Sequence, residues 1–164
     1  MEIIHPEVPP DQIKSLRFSK EVWGWAIYDF ANTIFSMNIL TLYFAGWVII
    51  DHGLEDIWYS LTFSGSMLLV AVSMPVLGAI SDVSGKKKTY LFVLTLGCVL
   101  ATFLMGIISR LPLTISGEMI LALIAFALAT YCYEGGLVFY NAMLPEVSHH
   151  RRMGQISGLG VALG

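Results

Sequence analysis

Asp29 and Glu134 are the residues whose surroundings make them chemically expensive. Asp29 lies in WAIYDFANTIF and Glu134 in TYCYEGGLVFYNAM, two apolar stretches. An ionised acid inside lipid costs about 2.5 to 3.5 kcal/mol on insertion scales, so it normally faces a wet cavity or a bonding partner. Asn32, three residues after Asp29, is expected on the same helical face, and Asn141, seven after Glu134, makes a similar stripe. Such stripes on two helices point to a substrate or proton/cation pathway. Two carboxyl groups that approach each other cannot both stay ionised cheaply, which suits proton coupling. The structural alternative is that each acid is an isolated polar group bonded to a neighbouring helix. The residues alone leave both readings open.

The elements that must hold these residues follow from the lengths of the apolar runs. A helix needs about 20 apolar residues to cross the hydrocarbon core. Four segments qualify, at 23–50, 57–80, 89–108 and 117–144, joined by polar links at 51–56, 81–88 and 109–116. The chain is 56% hydrophobic and 13% charged, against about 25% charged for a soluble domain. A soluble bundle would need a polar face on each helix, and LFVLTLGCVLATFLMGII in the third run has none. Trp23, Trp25, Trp47 and Trp58 lie near span ends, where indole rings favour the headgroup layer. The prediction is an all-α, multi-pass integral membrane protein.

The cations orient it. Eight of the nine Lys and Arg fall before the first span, between the second and third, or after the fourth. The positive-inside rule therefore predicts a cytoplasmic N-terminal segment, 1–22, with no cleavable signal. From the cytoplasmic ends, Asp29 is six residues past Trp23 and Glu134 ten before Leu144, depths of roughly 9 and 15 Å. Pro145 is expected to stop the fourth helix. QISGLGVALG then begins a fifth from about residue 155 and reaches only about 15 Å. The expectation is a partial N-terminal transmembrane half, 23–164, of a longer protein.

The link between spans two and three reads GAISDVSGKKK. Asp82 ends the second helix, where the helix dipole disfavours a negative charge, so it should find a cation or another helix's N-terminus. Gly78 would allow close helix packing and Gly85 a tight turn. The pattern Gly78-x-x-x-Asp82-x-x-Gly85-Lys86-Lys87 resembles the signature of the major facilitator superfamily, departing from it at Val83, where that family usually carries Arg or Lys. WAIYDFANTIFSMNILTLYF and FYNAMLPEVSHHRRMGQISGLGVALG are similar to its vacuolar amino-acid effluxer-like, autophagy-related branch and bacterial relatives. The resemblance implies a twelve-helix transporter of two six-helix halves, of which this chain would be the first third. Alternating access around a midplane site would move the solute. It also implies that the first and fourth helices line the cavity, and that Asp82 helps lock a gate against the remaining half. The membrane would be the cell (inner) membrane in a bacterium, the vacuolar membrane in a fungus.

Other signals carry less. The net charge of −3 gives no reason to expect a nucleic-acid partner. Cys98 and Cys132 read as small buried hydrophobes. Gly158, Gly160 and Gly164 have the wrong spacing for a dinucleotide loop. His149 and His150 lack the ligands that would complete a metal site, so no metal and no cofactor are expected. An intramembrane aspartyl protease would need paired aspartates, which are absent, so no enzyme is expected. Tyr28, Tyr131, Tyr133 and Tyr140 line a cavity or merely pack. The predicted function is secondary active transport of a small solute, amino acids by family likeness. The alternative is a membrane scaffold or accessory subunit.

Overall fold

The structure, a computed structural model, describes residues 20–147 together with Gly158 and Ala162. The N-terminal segment, His149 to Arg152 and most of the expected fifth helix lie outside the described residues; Gly158 and Ala162 are themselves helical. Four long helices make up the rest. The first, α1 (20–51), is α-helical over Lys20–Phe35, π-helical over Ser36–Tyr43, α-helical for one turn at Phe44–Gly46, and π-helical again over Trp47–Asp51. The second, α2, spans Ile57–Ser84, α3 spans Lys87–Ile108, and α4 spans Ile115–Val147. All four are long and apolar enough to cross a membrane. Their outward faces are apolar: Leu68, Leu69, Val72 and Val76 of α2, and Phe92, Val99 and Phe103 of α3, are exposed. Such a surface is stable only against lipid.

Two boundaries differ from the sequence expectation. The link expected over 81–88 shrinks to Gly85 and Lys86, because α2 runs on to Ser84 and α3 begins at Lys87. Gly85 makes the turn with φ of 65°, a conformation that only glycine adopts without strain. Pro145 does not stop α4, which continues to Val147. A proline removes one N–H from the helical ladder and crowds the carbonyl four residues back, a local cost that α4 absorbs, staying helical through Val147.

α4 is the hub. It packs most extensively on α3, then on α2, and meets α1 largely through rings. Phe44 stacks on Phe126 with centroids 4.1 Å apart, and Trp25 stacks on Tyr140 at 4.6 Å. Between apolar helices in lipid, association rests on close packing and interhelical hydrogen bonds. Both are present. The Ser73 and Tyr131 hydroxyls pair at 2.9 Å, and the Ser66 hydroxyl donates to the Ala127 carbonyl at 3.2 Å, joining α2 to α4. The Tyr28 and Thr95 hydroxyls pair at 2.8 Å, joining α1 to α3. At the α3–α4 contact, a Cβ added to Gly97 would sit 2.9 Å from Cys132 Sγ.

That contact generates a prediction. Gly97→Ala should overpack the α3–α4 seam and cost about 1 to 3 kcal/mol. Cys132→Ala on the same background should recover most of the loss, because the clash is with its sulfur. The check is the unfolding midpoint of single and double variants in detergent; strictly additive costs would show that this contact is not the cause.

Candidate functional site

The placement of Glu134 follows from its neighbours on α4. Cys132, two residues before it, lies against Gly97 of α3; Gly136, two residues after, lies beneath Tyr28 of α1 and Leu91 of α3. A step of two residues turns about 200° round a helix. Glu134 therefore leaves α4 on the side opposite α3, where Asn141 also lies, exposed. Gly135 meets Met74 of α2. The two glycines beside the acid thus serve packing on the far side of α4. Glu134 is half-buried and, among the described residues, has no ion-pair partner. Thr130, four residues earlier and about 40° round from it, is fully buried with its hydroxyl unbonded.

Asp29 is placed differently. Val22, Trp25 and Ala26 form the buried face of the N-terminal half of α1, and Asp29 follows Trp25 by one turn. Its carboxyl lies within electrostatic range of the Tyr140 and Tyr133 hydroxyls. Tyr140 is buried, and its hydroxyl donates to the Trp25 carbonyl at 3.2 Å. Glu134 also lies within range of Tyr133, so this tyrosine senses both acids. No bond joins the two acids among the described residues.

Asn32 departs from the expected stripe. Three residues along a helix leave an offset of about 60°, and here that offset separates two neighbours. Asp29 turns to α4, whereas Asn32 lines a groove of about 430 Å³ with Tyr28, Phe35, Thr95, Cys98 and Tyr133. The Asn32 Nδ2 atom is buried there without a hydrogen-bond partner. Sequence spacing placed the two residues together because it does not say where the next helix sits.

The turn between α2 and α3 brings Asp82 to Lys87, with 3.1 Å between Oδ1 and Nζ. Lys87 is also the first residue of α3, so the acid at the unfavourable end of α2 meets a cation and a helix N-terminus together. Lys86 is exposed. Gly78 borders an open groove of about 630 Å³ between α2 and α4, with Ala71, Met74, Ala79, Phe139 and Ala142. A Cβ at Gly78 would touch nothing within 4 Å; among the described residues, no helix uses the close approach that this glycine permits.

Of the tyrosines that the sequence left open, Tyr28, Tyr131 and Tyr140 bond across helix seams, and Tyr133 borders both the groove and the acids. Sequence reasoning missed the His52–Glu118 contact at 4.0 Å and the bond from Tyr59 to the Leu40 carbonyl. Neither pair has a spacing that announces it.

The profile of the Major Facilitator Superfamily matches residues 4–164. The chain belongs to the major facilitator superfamily. It is similar to YxiO of Bacillus subtilis (strain 168), an uncharacterized MFS-type transporter, with 29% identity over 156 residues. The alignment covers 90% of this chain and 35% of that protein, so the chain spans about a third of the length of this relative. No solved structure matches it. As a major facilitator chain with four membrane-length helices, it is a multi-pass integral membrane protein.

The Asp82–Lys87 pair in this superfamily chain yields a test of what it is for. Asp82 is 65% exposed, and exposed pairs contribute about 0 to 1 kcal/mol. Asp82→Asn is expected to leave the detergent unfolding midpoint nearly unchanged. A large loss of stability would assign the residue to the fold and remove it as a gate candidate.

Proposed function

We propose that this chain forms part of a secondary active transporter for a small solute, with Glu134 as a proton- or cation-coupling group. The observation that carries the reading is Glu134 itself: an acid within a membrane-length helix, on the side of α4 away from α3, with no ion-pair partner among the described residues. Intramembrane acids without partners normally mark ion or substrate routes. Membership of a transporter superfamily gives that default a reaction to serve.

The working cycle is alternating access about a midplane site. A carboxyl group sealed from water tends to hold a proton, and one opened to water releases it. Glu134 alternates between these conditions as the cavity opens to each side in turn, and so ties solute movement to proton movement. Asp29 has a more structural share, because it sits among the tyrosines that join α1 to α4. Asn141 extends the polar face of α4 beyond Glu134. The positive-inside distribution of Lys and Arg supports a cytoplasmic N-terminus. The likeness to amino-acid effluxers makes amino acids the first solutes to try. In this reading the Gly78–Lys87 turn and its open groove form the surface that meets the opposite half, with Asp82 in the gate.

Solute uptake by the complete gene product, with and without a proton gradient, tests the reading. Glu134→Gln is expected to lower gradient-driven uptake at least about tenfold, a 1.4 kcal/mol effect, and to flatten its pH dependence. Asp29→Asn should cost less. Glu134→Gln with an unchanged rate and pH profile would end the coupling role. The 164-residue chain alone in proteoliposomes presents one polar cavity face, and is expected to move no solute.

A further inference from the structure

The C-terminal half of α1 does not keep the four-residue step of the other helices. Over Ser36–Tyr43 and Trp47–Asp51 it is π-helical, with N–H groups reaching five residues back. The Phe44 N–H bonds to the Ile39 carbonyl, and the His52 N–H to the Trp47 carbonyl at 3.2 Å. The Thr41 hydroxyl donates to the Ser36 carbonyl at 2.9 Å, also five residues back, so a side chain props the wide frame.

Where five-residue steps give way to four-residue steps, the ladder skips one carbonyl. Leu40 comes directly after Ile39, and it is buried. The Tyr59 hydroxyl of α2 donates to the Leu40 carbonyl at 2.7 Å. A buried carbonyl without a donor is costly, and Tyr59 supplies the donor from a neighbouring helix at the junction of the two frames.

We propose that this half of α1 is a two-state element that passes between π and α frames, and that Tyr59 clamps the π frame. A π turn holds one residue more than an α turn. Passing to the α frame therefore turns the N-terminal half of α1 relative to its C-terminal half by about 100°, the angular step of one residue. Asp29 and Asn32 are about 60° apart, so a rotation of that size is enough to exchange which of them faces α4. The Asn32 Nδ2 atom, buried without a hydrogen-bond partner in the π frame, meets different neighbours in the other. The element rests on the geometry of α1, and it offers the transport reading a way to present two polar groups in turn.

Labelling tests it without measuring transport. Single cysteines at positions 28–33, in the chain held in nanodiscs, react with a water-soluble maleimide at rates that report which face is wet; Cys98 and Cys132 are buried and set the background. Tyr59→Phe removes the clamp, and losing one hydrogen bond should shift the two frames about fivefold to tenfold. The ratio of labelling at Asn32→Cys to that at Asp29→Cys should change by a similar factor. Thr41→Val removes the side-chain bond to the Ser36 carbonyl that props the wide frame and should move the ratio in the same sense; it also serves if Tyr59→Phe does not insert. An unchanged ratio in the variants that insert overturns the proposal. Loss of coupling in Glu134→Gln is a separate readout, so either idea can fail while the other stands.

Discussion

The exclusion of water from the membrane interior is the constraint on which this structure depends. Every polar atom within the spans must bond inside the protein or reach a wet face. The backbone meets the demand by staying helical. The small hydroxyls meet it by bonding back one turn: Thr62 to Trp58, Ser66 to Thr62, Thr95 to Leu91 and Thr102 to Cys98, at 2.8 to 2.9 Å. The tyrosines meet it across seams, where their rings pack and their hydroxyls find a partner on the next helix. Against that background the exceptions are few. Trp25 Nε1, Asn32 Nδ2 and the Thr130 hydroxyl are buried and unbonded, and Glu134 has no countercharge among the described residues.

The same constraint explains why α4 occupies the centre. Lipid tails are as apolar as leucine, so helices gain little by burying leucine against leucine; they gain from close approach and from interhelical bonds. α4 carries both resources. Its glycines let Met74 and Tyr28 close in, its Cys132 fits against Gly97, and Tyr131 and Tyr140 bond outward to α2 and α1. Its large buried rings, Phe126 and Phe139, stack against Phe44 of α1 and Tyr90 of α3. One narrow sector of α4, holding Glu134 and Asn141, is left out of these seams. Polar residues can occupy that sector without opening the packing.

Much of this was legible in the sequence, for a physical reason. The thickness of the hydrocarbon core dictates helix length, so the apolar runs reveal four membrane helices without any knowledge of their packing. The acids stood out by cost, and the α2–α3 turn by the glycine that its φ requires. Quantities that depend on neighbours were not legible. Asn32 and Asp29 share a face on an isolated helix, yet α3 and α4 divide that face between them. That Gly135 and Gly136, beside Glu134, are contact points for α1, α2 and α3 was not visible either. The π-helical frame of α1 has no sequence signal comparable to a proline, since its support comes partly from Tyr59 on another helix. Pro145 was expected to stop α4 because of its interior cost, yet the helix absorbs that local penalty and stays helical through Val147.

Two acids at similar depth need not do similar work, and the constraint itself separates them. Asp29 has hydroxyl neighbours: Tyr140 and Tyr133 lie within range, on the seam that α1 makes with α4. An acid so placed has polar company on a packed seam. Glu134 shares only Tyr133 of these; its flanking glycines turn to the other helices, and Thr130, on the same side of α4, keeps an unbonded hydroxyl. A half-buried carboxyl group without a countercharge costs the fold more than one with polar neighbours. In a superfamily that moves solutes across membranes, the acid that packing explains less is the one to examine first, and among these two it is Glu134.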